Sequence, residues 1–199
     1  MQPNASPNAA ILFEPDGYVL DGPKLMGRQA AGNAFLRAAV SGLKGQTLWA
    51  YSPYSRSAER FRELVLALDP QADARWIPAD RLDLLSQIGT LYLPGPGLAE
   101  LSRLRLRAGA AAYSLVGVTH TTASHVAMDA ITGLLASPVM PWDALICTSR
   151  AVGGTVKALL EAEIEYLRWR FGADLKLTLP QLPVIPLGVH SDDFDFSRA

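Results

Sequence analysis

The residues best placed to do chemistry lie in the run GVTHTTASH, Gly117 to His125. His120 falls at the predicted carboxyl end of a strand, where an imidazole can face a crevice and accept a proton or hydrogen-bond a hydroxyl near neutral pH. Thr119, Thr121 and Thr122 add hydroxyl partners. The competing reading is a histidine satisfied by backbone groups at a strand end. His125 lies five residues further on, inside a predicted helix, and the pair lacks metal-ligand spacing. A second candidate is the first strand-to-helix turn with Gly22, Gly27 and Gly32. Gly22 and Gly27 have the spacing that opens a P-loop, but Arg28 and Gln29 stand where Lys and Ser/Thr are required, which excludes an ATPase. What remains is a glycine turn presenting backbone N–H groups to a phosphate or sugar hydroxyl, or one that only permits a tight bend.

Other signals fall away. Gly95-Pro96-Gly97 would begin a dinucleotide fingerprint, but Glu100 replaces its third glycine and it lies far from the first strand, so it reads as a loop ending a strand. No G-x-S-x-G is present, which removes the hydrolase nucleophile elbow. Cys147 sits in an apolar run and reads as an inert buried thiol. Arg103, Arg105 and Arg107 read as a solvated helix face, with contact to an anionic acceptor or lipid headgroup as the lesser reading.

These residues need elements to hold them. Short continuous apolar runs (AAILF, TLWAYS, ARWI, IGTLYLPGP, YSLVGVTH, DALICTS and PVIPLGV) read as strands. Helical spacing is marked over 28–40, from Ser55 or Ser57 to 68, and over 98–107, 123–136 and 152–171. Continuous rather than alternating apolar strands, separated by helices, predict an α/β doubly wound, mostly parallel sheet with helices on both faces. In such a fold ligands gather at the carboxyl ends of the strands. Residues 1–8 read as a loose tail and 9–190 as one domain.

Composition bounds the function. The 199 residues are 49% hydrophobic and 19% charged, with a net charge of −1. That supports a proper core and disfavours nucleic acid as a partner. A single cysteine leaves no intramolecular disulfide and fits a reducing, cytoplasmic setting. No apolar run reaches the ~18 residues needed to span a bilayer.

SLVGVTHTTASHVAMDAI, then PWDALICTSRAV, then PVIPLGVHSDDF together resemble the acceptor-side half of retaining GT-B glycosyltransferases of the family 4 type. The shared pattern is a strand carrying an active-site polar residue, then a D-x-hydrophobic-x-x-x-S strand, here Asp143 to Ser149, then a closing V-I-P-x-G-V strand, here Val184 to Val189, and a following aromatic, here Phe194. The resemblance covers roughly the second half of the chain. It departs at His190, where the family often has Asp. It implies a Rossmann-like N-terminal domain, an interdomain linker starting over 191–199, and a second, nucleotide-sugar domain that is absent from this sequence. It further implies metal-independent transfer of a sugar from a nucleotide-diphosphate donor to an acceptor hydroxyl with retention, no cofactor, and a chain inactive alone. His120 would be catalytic; Gly27, Arg28, Thr119, Thr121 and Ser149 would bind acceptor or donor. Contact with the inner face of a membrane is compatible with this. The alternatives are a nucleotide-binding Rossmann module of another enzyme and a non-catalytic sugar-binding or interaction module.

Overall fold

The computed structural model describes residues 8–20, 27–43, 45–172 and 175–190; the expected tail over 1–7, Gly22, Phe194 and the expected linker over 191–199 lie outside them. The strands are β1 Ala10–Leu12, β2 Thr47–Tyr51, β3 Asp73–Ile77, β4 Thr90–Leu93, β5 Ser114–Thr119 and β6 Ala144–Cys147. The helices are α1 Gly27–Gly42, α2 Ser55–Leu68, α3 Leu82–Ile88, α4 Leu98–Arg105, α5 His125–Thr132 and α6 Arg150–Phe171. All pairings are parallel, and the strand order is β3-β2-β1-β4-β5-β6. That is the doubly wound, Rossmann-like arrangement, with the order reversing between β1 and β4.

Two hydrophobic cores show how the sheet is covered. Ile11, Phe13, Leu48 and Ala50 pack with Leu36 and Val40 of α1 and Phe61 and Val65 of α2. A larger core joins Leu91, Leu115 and Leu145 to Leu85 of α3, Leu98 of α4, Ile131 of α5 and Val156 and Leu160 of α6. Right-handed crossovers require this split: connections running toward β3 put their helices on one face, those running toward β6 on the other. The α1/α2 face is therefore helix-covered over β1 to β3, α1 reaches β4 through Phe35 stacked on Tyr92, and no helix among the described residues covers it over β5 and β6.

The elements follow their local signals with some shifts. The seven-residue α3 carries no long apolar stripe; its signal is Leu82 and Leu85 followed by Gly89, left-handed at φ 87°, which stops the helix. α5 is shorter than the expected 123–136, capped by the Ser124 hydroxyl accepting from Ala127 N and ending before Gly133. The PVIPLGV segment runs parallel to β6 without becoming a regular strand. Gln181 N–H donates to Asp143 O, Leu145 N–H to Gln181 O, Cys147 N–H to Pro183 O and Ile185 N–H to Cys147 O. Pro183 has no N–H for the next rung, which breaks the ladder. Two glycines allow close approaches. A Cβ on Gly32 would stand 2.0 Å from Gly17 O, so α1 packs directly on the Pro15–Gly17 turn. A Cβ on Gly117 would stand 2.7 Å from Gly95 O, which accepts from Val118 N.

Arg105 departs most from expectation. It is fully buried rather than solvated and forms a two-pronged ion pair with Asp143, also buried, at 2.6 and 2.8 Å. Arg105 also donates to Tyr113 O and Pro138 O, while Asp143 accepts from Leu115 N and Met140 N. Removing one partner leaves an uncompensated buried charge, whereas removing both does not. Asp143→Leu should therefore lower unfolding stability by about 3–5 kcal/mol, and Asp143→Leu with Arg105→Met should recover most of that loss in urea unfolding. Equal loss in the single and double variants would show that the charges are not coupled.

Candidate functional site

The strand order reverses between β1 and β4, and the carboxyl ends of the strands there open toward the α1 N-terminus. Gly27 and Arg28 are the first two residues of this 16-residue helix, both exposed. No acidic residue sits in its first turn, although the Asp16 carboxylate lies against Arg28 there. Arg28 is ion-paired with Asp16 of the 3-10 turn; both side chains are well exposed, and such a pair orients the guanidinium more than it stabilises the fold.

His120 follows β5 directly and lies on the same rim. Its Nε2 is buried and has no hydrogen-bond partner among the described residues. Burial, and then the positive charge of Arg28, push its pKa below the ordinary 6.5. Both effects disfavour the imidazolium, so the ring is held neutral near pH 7. A carbonyl, phosphate or ammonium would each use one of the ring's two roles. A neutral ring carries one donor and one acceptor nitrogen, a pair of roles that a hydroxyl can match.

The other expected site residues divide by what already occupies them. Thr119 is buried and its hydroxyl donates to Ile146 O across β5 and β6. Thr121 is exposed and its hydroxyl accepts from Ala123 N, shaping the turn into α5. Ser149 caps α6, its hydroxyl accepting from Val152 N. These three hydroxyls position the rim. Gly27, Arg28 and His120 converge at it. His125 is the exposed first residue of α5. Cys147 is buried, and burial raises its thiol pKa, in keeping with an inert thiol. Among the described residues no three His, Cys, Asp or Glu side chains gather to hold a metal ion.

The spacing of single residues did not reveal a cavity of about 540 Å³ beneath the rim, on the half-face that lacks a helix. Ala30, Ala31, Ala34 and Ala38 of α1 form one wall, Tyr92, Val118 and Ile146 the sheet side, and residues 185–190 the outer edge. Phe35 stacks on Tyr92 at 4.3 Å between ring centroids, and burial lifts the Tyr92 hydroxyl to about 12. His190 Nε2 donates to Ala34 O at 3.0 Å and ties the closing segment to α1. The signal was the alanine run itself: a helix face of methyl groups is too small to fill the space over an apolar sheet.

Searches against protein-family models, curated proteins and solved structures give no match to the chain.

The His120 environment is open to direct measurement. By proton NMR its C2 proton should titrate below 6.5, and Arg28→Gln should move the midpoint upward but not fully back, since burial remains. Because the folded pKa lies below the unfolded one, the folded state binds fewer protons. The contribution of His120 to stability is thus complete above about pH 6.5 and is lost as pH falls through the folded pKa. A midpoint unmoved by Arg28→Gln would remove the electrostatic link.

Proposed function

We propose that this chain is the acceptor-side domain of a retaining GT-B glycosyltransferase of the family 4 type, moving a sugar from a nucleotide-diphosphate donor to an acceptor hydroxyl. The observation that carries the reading is His120: a neutral imidazole with a buried, unengaged Nε2, on the same carboxyl-end rim as the α1 N-terminus and Arg28. In glycosyl transfer the departing diphosphate gathers negative charge, which positioned N–H donors and cations stabilise. The α1 N-terminus with Gly27 and Arg28 offers both. His120 orients a hydroxyl over the same cleft. The donor's nucleotide pocket belongs to the second domain in this reading, and closure of the two domains completes the site.

The strand order is also that of dinucleotide-binding domains, which favours a second reading as a nucleotide-binding module of another enzyme. The long connection from β1 to α1, in place of a tight glycine turn onto the helix, counts against it. In the complete two-domain enzyme, His120→Ala should lower turnover at least about tenfold at unchanged nucleotide-sugar affinity. Unchanged turnover would take His120 out of the site. Titration of the chain with NADH should give no change in cofactor fluorescence; saturable quenching would favour the dehydrogenase-type module instead.

We place the domain in the cytoplasm, in peripheral contact with the inner face of the membrane. No helix among the described residues is long and apolar enough to cross one. The end of α6 exposes Tyr166, Trp169 and Phe171, with Arg168 and Arg170 in the same turns. Amphipathic rings beside cations suit the headgroup region of an anionic bilayer. Sedimentation with phosphatidylserine-containing vesicles should be lost in Trp169→Ala with Phe171→Ala; equal sedimentation of the two forms would end the membrane reading.

A further inference from the structure

The cavity under the rim is far less polar than a sugar requires. Its helix wall offers methyl groups from Ala30, Ala31 and Ala34, and its sheet wall Val118 and Ile146. Three side chains in the lining carry polar atoms. The Tyr92 ring is stacked on Phe35, and the His190 Nε2 is committed to Ala34 O. His120 is the one whose buried nitrogen lacks a partner. The lining is mostly carbon, so a sugar ring placed here would leave several hydroxyls without partners, and each unpaired one opposes binding. An apolar ring system with one hydroxyl would bury its body against alanine, valine and isoleucine and keep the hydroxyl beside the His120 imidazole. At about 540 Å³ the space falls within the range of small-ligand pockets, roughly 300–1,000 Å³.

We propose that this cavity binds the apolar body of an aromatic or alicyclic alcohol, whose hydroxyl hydrogen-bonds the His120 imidazole. Resting on the glycosyl-transfer reading, that alcohol is the acceptor, and the enzyme glycosylates apolar alcohols rather than sugars. Binding itself needs no donor. The pocket therefore stands or falls separately from the transfer.

The test uses the full chain and three probes: 2-naphthol, 2-methylnaphthalene and methyl β-D-glucopyranoside. Fluorescence titration should show saturable 2-naphthol binding, with 2-methylnaphthalene weaker by at least about fivefold and the glucoside not competing. His120→Ala should erase the preference for the hydroxyl while keeping affinity for the ring. Ala34→Phe should weaken 2-naphthol by at least about tenfold through loss of space; Ala38→Phe, on the more exposed part of the same wall, serves if the first variant does not fold. Absence of saturable 2-naphthol binding, equal competition by the glucoside, or binding untouched by a folded filling variant overturns the proposal. The last two results would fit a sugar acceptor or a helix of another domain covering this half-face. Should 2-naphthol bind as described yet not be glycosylated by the complete enzyme, the pocket stands and the transfer reading falls. His120-dependent transfer to other alcohols without 2-naphthol binding would do the reverse.

Discussion

The ion pair between Arg105 and Asp143 is the constraint on which the functional half of the sheet depends. It lies at the entry ends of β5 and β6, where Asp143 precedes β6 directly and accepts from Leu115 N in β5. Arg105, from the end of α4, reaches the Tyr113 carbonyl just before β5 and the Pro138 carbonyl in the loop before β6. One carboxylate and one guanidinium thus join α4, β5, β6 and the loop between them. They set the β5–β6 register at Val116 opposite Ala144, and that register carries through to Thr119 opposite Cys147. His120 comes one residue later, so its height above the sheet is fixed from the far end of the strand. A buried pair of this kind contributes little net stability once desolvation is counted. Its value here is geometric.

Close backbone approaches act in the same direction at the other rim. Gly32 lets α1 rest on the Gly17 carbonyl, and Gly117 lets the Gly95 loop fold over β5. The first sets how near the α1 N-terminus and Arg28 come to the crevice. The second holds the β4–α4 loop against the strand that leads to His120. Neither contact tolerates a methyl without movement of backbone.

Much of the architecture is legible in the sequence because buried parallel strands write themselves as short unbroken apolar runs; five of the six strands lie within such runs, and the mostly exposed edge strand β3 begins one residue before its run, at Asp73. α3 is the exception among the helices, since seven residues cannot carry a convincing helical period. Polar roles are harder to read. Arg105 sits between Arg103 and Arg107 in a stretch whose composition looks solvated, and only the fold shows that the middle side chain turns inward to a carboxylate 38 residues away. Asp143 belongs to the D-x-hydrophobic-x-x-x-S pattern, and so does Ser149; both prove to hold the scaffold, one by charge and one as a helix cap. Thr119 and Thr121 look like site hydroxyls by position, but the neighbouring backbone engages each of them. The distinction between an engaged and an open polar group depends on neighbours remote in sequence, and no local spacing encodes it.

Three buried polar atoms among the described residues have no hydrogen-bond partner: Arg105 Nε, the Tyr113 hydroxyl and His120 Nε2. Arg105 Nε belongs to a guanidinium that makes four other hydrogen bonds, which offset its lost solvation, while the Tyr113 hydroxyl lies in the packed core. The imidazole has no such compensation. It stands beside a cavity instead, with Arg28 and burial both opposing the proton that would otherwise restore its solvation. An unmet polar atom inside dense packing is only a cost, whereas one in a side chain that also lines a cavity lies close to where a ligand group would sit. That difference in surroundings is what separates His120 from the other two, and it ties the recognition of a hydroxyl to the half-face that the helices leave open.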